Sequence, residues 1–182
     1  PIFLEIDRQT DPKVLEELHK GCERALEDNR VVFEDWEKMR AEVREAITEI
    51  DKVSSVLDLD EVEETKAFLH WIEDHHFTFL GMRDYELVEK GKETVLQAVP
   101  NTGLGLLRES VTKSMTRSIS AMSPEAREFT MSPRILVTSK TNTLASVHRD
   151  AYTDYIGIKR FNAQGKVIGE RRIIGLYTSA AY

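Results

Sequence analysis

Residues 77–99, FTFLGMRDYELVEKGKETVLQAV, decide the fold class of this chain. In residues 77–88 large side chains stand at every second position, which is the period of a β-strand. The dipeptide Lys90-Gly91 then predicts a hairpin turn, and residues 94–99 form the returning strand. The sequence therefore predicts that an antiparallel sheet begins at residue 77.

Three further strands are predicted towards the C-terminus. The first covers residues 135–138, and residues 152–161 and 167–177 form a second hairpin. The loop of this hairpin ends with Gly165, which suits the left-handed conformation that a tight turn requires. Together with the first hairpin, these segments predict a sheet of five strands.

Helical pieces are predicted on either side of the strands. A helix precedes residue 77, and short pieces lie at residues 104–108 and from Ser123-Pro124 onward. This order matches a PAS-like antiparallel five-stranded sheet with flanking helices better than the βαββαβ order of an ACT module. It contains no βαβ series, which argues against a doubly wound nucleotide-binding fold. We therefore predict the α+β class.

The predicted strands are apolar on both faces. Ile156 and Ile158 point to one face, and Tyr155 and Phe161 to the other. A sheet that is apolar on both faces needs two covering layers. The predicted helices supply one layer, and either an irregular loop or the rest of a larger protein supplies the second.

The N-terminal third is predicted to be helical after a strand at residues 2–6. Asp11 and Pro12 have the residue types of a helix N-cap and first turn. Apolar residues then recur at steps of three and four as far as residue 53, in a heptad-like pattern. The pattern fits one long helix or two helices broken near Asp28-Asn29. It also fits either a linker helix packed on its neighbours or a coiled-coil seam between subunits.

Charge and pattern both change near residue 60. Residues 1–64 contain 20 acidic and 9 basic side chains, and residues 65–182 contain 12 acidic and 16 basic ones. Asp60 and Glu63 have capping-box spacing and are predicted to open the next helix. We therefore predict two parts: residues 1–59, a terminal strand and helical segment, and residues 60–182, a PAS-like α+β domain.

Composition excludes several classes of function. The single cysteine, Cys22, excludes a disulfide framework and a Cys-rich zinc site, and it favours a reducing, cytoplasmic setting. Cys22 lies on the apolar face of the helical pattern, so we expect it to be buried. The apolar runs are too short for a membrane span, and no secretory signal opens the sequence. The acidic arm argues against nucleic-acid binding.

Two motifs imitate chemical sites without meeting their requirements. The run 103–108 has the glycine spacing of a nucleotide loop, but Arg108 replaces the third glycine and no βαβ unit surrounds it. Its backbone amides remain candidates for holding an anion. His75 and His76 are adjacent and cannot share one helical face, so we predict no metal site there.

The polar stretch 138–154 is the strongest candidate for a ligand or domain contact. It is predicted as a loop carried on the sheet, where binding groups usually lie. Serine, histidine and acid side chains all occur here, but nothing indicates a nucleophile held against a base, so no catalytic residue is assigned. A solvated connection that caps strand ends is the alternative interpretation. The candidate contact residues are Lys140, Asn142, His148, Arg149, Asp154 and, from the glycine run, Arg108.

Several segments together resemble the N-terminal regulatory region of the large-subunit class of bacterial NAD-specific glutamate dehydrogenases. The resemblance covers nearly the whole chain, and the last segment is the longest and most specific. The matching segments are residues 5–12, 34–36, 76–81, 103–108, 146–149, 154–161 and 169–182.

This resemblance implies a parent enzyme that converts L-glutamate, NAD and water to 2-oxoglutarate, ammonia and NADH. It implies that residues 1–59 end an ACT-like module and link it to a PAS-like module. It places no catalytic residue, cofactor or metal in this chain, and NAD in the parent enzyme. The implied partners are the remaining domains of the same polypeptide, further copies in a homo-oligomer, and an amino-acid effector. A free-standing small-molecule sensor or interaction module, unrelated to a dehydrogenase, is the alternative, and a small hydrolase that uses His148 is a third hypothesis.

Overall fold

The computed structural model describes residues 5–91, 93–108, 117–118, 130–147 and 151–178. These residues form two long helices and one antiparallel sheet, so the predicted α+β class is confirmed. The helices are α1, Pro12–Val53, and α2, Leu59–Trp71. The strands are β1 Phe77–Lys90, β2 Glu93–Ala98, β3 Leu104–Gly105, β4 Arg117–Ser118, β5 Leu136–Leu144, β6 Tyr152–Phe161 and β7 Val167–Tyr177.

The first and last strands of the sheet, β1 and β7, lie side by side at its centre. Its strand order is β4-β2-β1-β7-β6-β5, and β3 pairs with β1 outside this path.

Both predicted hairpins are confirmed: β1 pairs with β2 through Gly91, and β6 pairs with β7 through Gly165. The two glycines have φ values of +67° and +73°, the left-handed conformation that glycine adopts without strain.

Two predictions of secondary structure need correction, one of a helix and one of a strand. Residues 104–108 do not form a helix, because Gly105 pairs with Gly81 of β1 and only two residues join the sheet. Strand β5 does not end at residue 138 but continues to Leu144, so much of the predicted polar loop is strand. Its Thr, Ser, Lys and Asn side chains are mostly exposed, and pairing with β6 as far as Lys140 and again at Leu144, rather than hydrophobic burial, holds the backbone extended.

Helix α1 is one continuous element, which settles the alternative between one helix and two. Asp11 caps it, accepting a hydrogen bond from the backbone N–H of Lys13 at 2.9 Å. Across the expected break, the Asn29 amide donates to the carbonyl oxygen of Ala25 at 2.8 Å. Arg30 forms ion pairs with Glu27 and Glu34, one turn away on either side. These local contacts compensate for the weak helix propensity of the residues near Asn29.

The two halves of α1 differ in burial. Side chains from residue 12 to residue 30 are exposed or half-buried, and the buried series begins at Val31. Leu26 is 60% exposed and Phe33 is 84% exposed. The prediction that Cys22 is buried is therefore wrong: its thiol is exposed, because it lies in the half of the helix that extends away from the sheet.

Helix α2 begins two residues earlier than predicted. Its N-cap is Asp58, whose carboxylate accepts from the backbone N–H of Glu61 at 3.0 Å, so the capping role assigned to Asp60 is wrong. The Glu61 carboxylate accepts instead from the backbone N–H of Ile135, at 2.7 Å. This hydrogen bond ties the first turn of α2 to the residue that precedes β5.

The main core lies between the helices and one face of the sheet. Ile156 and Ile158 point into it, as predicted. Phe161 was expected on the opposite face but packs against the same core, because a register shift after Arg160 turns its side chain over. The helices, with the residue that follows α2, contribute the buried side chains of Met39, Val43, Ala46, Ile47, Ile50, Val62, Leu69 and Ile72.

Some predicted elements lie partly or wholly outside the described residues. Of the strand expected at residues 2–6, only Glu5 and Ile6 are described, and they are not in the sheet. Of the helix expected from Ser123 onward, Thr130 and Met131 are described, and both are helical. In the part of the chain that the structure covers, neither helix combines the length and apolar content that crossing a bilayer requires.

Candidate functional site

A layer of ion pairs joins the C-terminal half of α1 to the sheet. Asp84 of β1 and Arg171 of β7 are cross-strand partners, and Arg171 donates two hydrogen bonds to Asp84, at 2.8 and 3.1 Å. Arg171 also donates to the carbonyl oxygen of Glu42 in α1, at 2.8 Å. Burial alone lowers the pKa of Arg171, but the Asp84 carboxylate raises it above its usual value. A two-point contact of this kind fixes geometry, so it sets the position of α1 on the sheet.

Arg160 of β6 extends this layer towards the end of α1. Its guanidinium lies 3.2 and 3.4 Å from the Glu49 carboxylate oxygens and 3.3 Å from Asp84. These contacts are longer than those of Arg171, and the Arg160 side chain is half-buried. Long, partly solvated charge pairs contribute little free energy, so Arg160 is the less firmly held of the two cations.

The glycine run, residues 103–108, binds an anion, and that anion is the carboxylate of Asp35 in the same chain. The backbone N–H of Gly105 donates to the Asp35 carboxylate of α1 at 2.9 Å. Arg108 donates to the same carboxylate at 2.5 Å and lies 3.0 Å from Glu34. The site that resembles a phosphate loop is therefore filled by a side chain of α1, and Arg108 serves an internal contact.

Close packing explains the glycines of this run. Gly105 has a φ of +56°, and a Cβ placed there would lie 2.3 Å from the carbonyl oxygen of Leu80. A Cβ on Gly103 would lie 2.3 Å from the carbonyl oxygen of Leu107. Glycine is needed because the turn passes directly against β1 and against its own backbone.

The predicted contact residues of the stretch 138–154 are only partly brought together. Lys140 of β5 and Asp154 of β6 form an ion pair at 2.6 Å, and Asp154 is buried. Asp154 also accepts from the backbone N–H of Tyr177, so it links three strands. Asn142 is exposed on the same strand as Lys140. His148 and Arg149 lie outside the described residues, and their role remains a prediction.

A cluster of buried charges on the opposite face of the sheet escaped the sequence analysis. Glu170 of β7 accepts hydrogen bonds from Lys159 Nζ at 2.6 Å, from Arg172 at 3.1 Å, and from the Tyr155 hydroxyl. The Arg172 guanidinium also lies over the Tyr85 ring, 4.3 Å from its centroid, which is a cation–π contact. We call Tyr85, Tyr155, Lys159, Glu170 and Arg172 the Glu170 cluster.

The ionisation of this cluster is fixed by burial and by neighbouring charges. Burial alone raises the pKa of Glu170, but Arg172 and Lys159 hold that pKa below its usual value. Burial and the adjacent Glu170 carboxylate raise the pKa of the Tyr155 hydroxyl, so it stays protonated. A sequence signal for these residues existed, because a charged side chain inside a central strand must find a partner. Lys159 in β6 and Glu170 in β7, each inside an otherwise largely apolar strand, carry that signal, although they do not show which partner each side chain finds.

Stability is expected to fall in acid because of two carboxyl groups. The Arg108 hydrogen bond holds the pKa of Asp35 well below its usual range, and the pKa of Glu170 is also lowered. Since both pKa values are lower in the folded chain than in the unfolded chain, these groups stabilise the fold above their unfolded pKa values. That contribution decreases as pH falls below about 4. Urea unfolding measured between pH 7 and pH 3 tests this.

The control for the pH prediction is Asp35→Asn, which removes one of the two titrating groups. Its free energy of unfolding is expected to change less between pH 5 and pH 3 than that of the original chain. Equal slopes in the two proteins would contradict the assignment to Asp35.

The histidines near the end of α2 do not form a shared site. His75 has a φ of +62°, and the next side chain, His76, turns back onto the helix. The Nδ1 of His76 donates to the carbonyl oxygen of Trp71 at 3.0 Å, and the two rings stack at 4.8 Å. Among the described residues there is no group of three or more His, Cys, Asp or Glu side chains able to hold a metal ion.

Comparison with known proteins gives one consistent relationship. The chain is 34% identical over 182 residues to a protein of Halomonas elongata named NAD-specific glutamate dehydrogenase. It is 31% identical over 181 residues to a protein of Pseudomonas aeruginosa with the same name. No family model matches the chain. All of the chain is aligned in both comparisons, but it spans only 11% of each relative's length. The chain is therefore similar, from end to end, to a small segment of proteins named NAD-specific glutamate dehydrogenase.

Proposed function

We propose that the chain is a non-catalytic regulatory and assembly module of an NAD-dependent glutamate dehydrogenase. The observation that carries the proposal is the similarity of the whole chain to about a tenth of two relatives with that name. Other domains of the same polypeptide would then bind NAD and convert L-glutamate and water to 2-oxoglutarate and ammonia, forming NADH. The chain would supply contacts and regulation.

The glycine run supports the non-catalytic role. In a nucleotide-binding loop, backbone N–H groups must be open to a phosphate. Here the N–H of Gly105 and the guanidinium of Arg108 are bound to Asp35, a buried carboxylate of α1. A phosphate would have to displace this internal anion, so the loop is better suited to fastening α1 than to holding NAD.

The modules inferred from the resemblance form part of the proposal. Residues 60–182 would be a PAS-like module, and residues 1–59 the end of an ACT-like module with its linker. From Val31 onward, α1 contributes to the core that covers the sheet. A movement of this part of α1 would therefore act directly on the second module. Regulation also requires an effector that binds two states of the protein with different affinity.

The proposed contacts with other domains lie at the edge of the sheet. Strand β5 is the last strand in the sheet order, and edge strands offer unpaired backbone groups to a neighbour. Lys140 and Asn142 lie on this strand, and His148 and Arg149 follow it along the chain. The exposed apolar side chains of α1 would serve assembly into a homo-oligomer.

Enzyme assays test the proposed function. The complete reading frame that contains this chain is expected to form NADH from L-glutamate and NAD, measured by absorbance. The 182-residue chain alone, at the same molar concentration, is expected to form none. A complete reading frame without glutamate-dependent NADH formation would refute the proposal and favour a free-standing sensor or interaction module. NADH formation by the chain alone would refute its non-catalytic role.

A further inference from the structure

The N-terminal part of α1 carries a continuous stripe of exposed apolar side chains. At about 100° per residue, these side chains fall within an arc of about 80° on the helix surface, over about 30 Å of helix length. Phe33 is 84% exposed and Leu26 is 60% exposed, so nothing in the described part of the chain covers them. The set, which we call the α1 stripe, consists of Leu15, Leu18, Cys22, Leu26, Phe33 and Trp36.

The α1 stripe is the kind of surface that packs against another helix. Single exposed apolar side chains are common on protein surfaces, but a row of them along one helix face marks an interaction site. Packing here would also hold residues 12–30, which form a marginal helix when they depend on local contacts alone. The stripe and the weak half of α1 therefore point to the same missing neighbour.

Charge decides which helix fits the α1 stripe. Residues 12–37 contain eight acidic and four basic side chains. Arg30 lies among the acids and pairs with Glu27 and Glu34 of the same helix, so it is not available to a partner's carboxylates. Five acids form a border along the stripe, on the side of α1 opposite the core-facing residues. They are Glu16, Glu23, Glu27, Glu34 and Glu37.

Neither long helix of the described residues supplies the complementary charge. Two copies of α1 would bring two acidic surfaces together, and like charges beside the seam of a helix pair oppose its formation. Helix α2 contains four acidic side chains and one lysine, and its apolar residues belong to the core. The chain spans only 11% of each relative's length, so most of the parent polypeptide lies outside these 182 residues.

We propose that the α1 stripe binds an amphipathic helix with lysine or arginine along its flanks, from a part of the parent polypeptide outside residues 1–182. The apolar face of that helix packs on the stripe, and its cations pair with the acidic border of α1. This inference deepens the proposed assembly role, on which it rests, because it gives the chemistry of the helix that α1 meets. The pairing stabilises residues 12–30, the part of α1 that the core does not hold.

Photo-cross-linking in the complete protein identifies what covers the stripe. Phe33→p-benzoylphenylalanine places the reactive group on the stripe, and Lys20→p-benzoylphenylalanine places it at an exposed position on the other side of α1. We expect the Phe33 variant, and not the Lys20 variant, to cross-link to a segment with helically spaced apolar residues and flanking Lys or Arg. A cross-link to α1 of a second copy, to a segment without that pattern, or to nothing would overturn the proposal.

Synthetic peptides test the charge requirement on the 182-residue chain. The probe is a peptide of about four heptads with leucine at the core positions and lysine at the flanking positions, and the matched peptide has glutamate at those flanks. By calorimetric titration, we expect the lysine peptide to bind at least about tenfold more tightly than the glutamate peptide. Equal affinities, or no binding of either peptide up to about 100 μM, would contradict the inferred chemistry.

Variants locate the peptide on the stripe. Phe33→Ser and Leu26→Ser are each expected to weaken binding of the lysine peptide at least about tenfold, with folding retained because both side chains lie outside the core. Leu59→Ser is the matched control, because Leu59 is 65% exposed but lies on α2, and it should leave binding unchanged. Unchanged binding in both stripe variants would place the peptide elsewhere and refute the assignment.

The result separates from that of the enzyme assay. A complete protein that oxidises glutamate, and whose α1 stripe pairs with a second α1, would overturn this inference and leave the proposed function standing. A complete protein without glutamate-dependent NADH formation, whose stripe still cross-links to a basic helix, would refute the proposed function alone.

Discussion

Replacing Glu170 with alanine is expected to lower the free energy of unfolding by about 3–5 kcal/mol, the usual cost of breaking a buried charge pair. Glu170 is 3% exposed and accepts hydrogen bonds from three side chains of its cluster. Its removal leaves the Lys159 ammonium group, which is also buried, with a hydrogen bond to the carbonyl oxygen of Thr130 at 3.1 Å in place of an ion pair. A carbonyl dipole does not replace a carboxylate, so the desolvation cost of the ammonium group is no longer offset.

Denaturant unfolding measures this effect, and two further variants control it. Glu86→Ala removes an exposed carboxylate from the neighbouring strand β1 and is expected to change the free energy by less than about 0.5 kcal/mol. Lys159→Met in the Glu170→Ala background should recover part of the loss, because the unpaired charge is removed with the lysine. A loss below about 1 kcal/mol for Glu170→Ala would show that the cluster is solvated rather than buried.

Replacing Asp35 with alanine is expected to cost about 3 kcal/mol of unfolding free energy. The Asp35 carboxylate is 1% exposed and is the shared acceptor for the backbone N–H of Gly105 and for Arg108. Without it, a buried amide loses its partner, and Arg108 retains on α1 the more exposed contact with Glu34, at 3.0 Å.

The matched control for Asp35 is Glu37→Ala, two residues further along α1 on an exposed position. It is expected to change stability by less than about 0.5 kcal/mol. Because Asp35 connects α1 to the sheet, its loss should also speed hydrogen exchange in α1 between residues 31 and 40. Equal stabilities of the two variants would contradict the role assigned to Asp35.

The elements that the sequence predicted well are those set by local chemistry. Gly91 and Gly165 close hairpins because glycine alone adopts their left-handed conformation without strain, and both lie between alternating apolar segments. The helix start at Asp11 and Pro12 was also correct, because an N-cap depends on the side chains of one turn.

The errors in the fold arise where distant contacts override local preference. Strand β5 continues through polar residues up to Leu144 because β6 pairs with it as far as Lys140 and again at Leu144. Asp58 rather than Asp60 caps α2, although both have the right chemistry, and the hydrogen bond from the Ile135 N–H to Glu61 fastens this earlier first turn to the residue before β5. Cys22 lies on the apolar face of α1, as predicted. That pattern does not show how far along the helix the sheet extends, so it could not show that Cys22 is exposed.

The candidate site could be predicted only in part, because its charges pair across long stretches of sequence. Asp84 and Arg171 are 87 positions apart, and Asp35 and Arg108 are 73 apart. Lys140 and Asp154 were singled out and do form a pair, since they lie on adjacent strands. Glu170 was missed because its partners, Lys159 and Tyr155, become visible only when the register of β6 and β7 is known.

The uneven burial of α1 divides a single 42-residue helix into two cooperative units. From Val31 onward its opening is coupled to global unfolding, because its side chains belong to the core. Residues 12–30 depend on local terms such as the Lys20–Glu16 pair, each contributing a few tenths of a kcal/mol, and an isolated helix of that length is marginal in water. Amide protection along α1 should therefore fall abruptly near residue 30. Residues 12–30 should unfold and refold locally while the sheet stays folded.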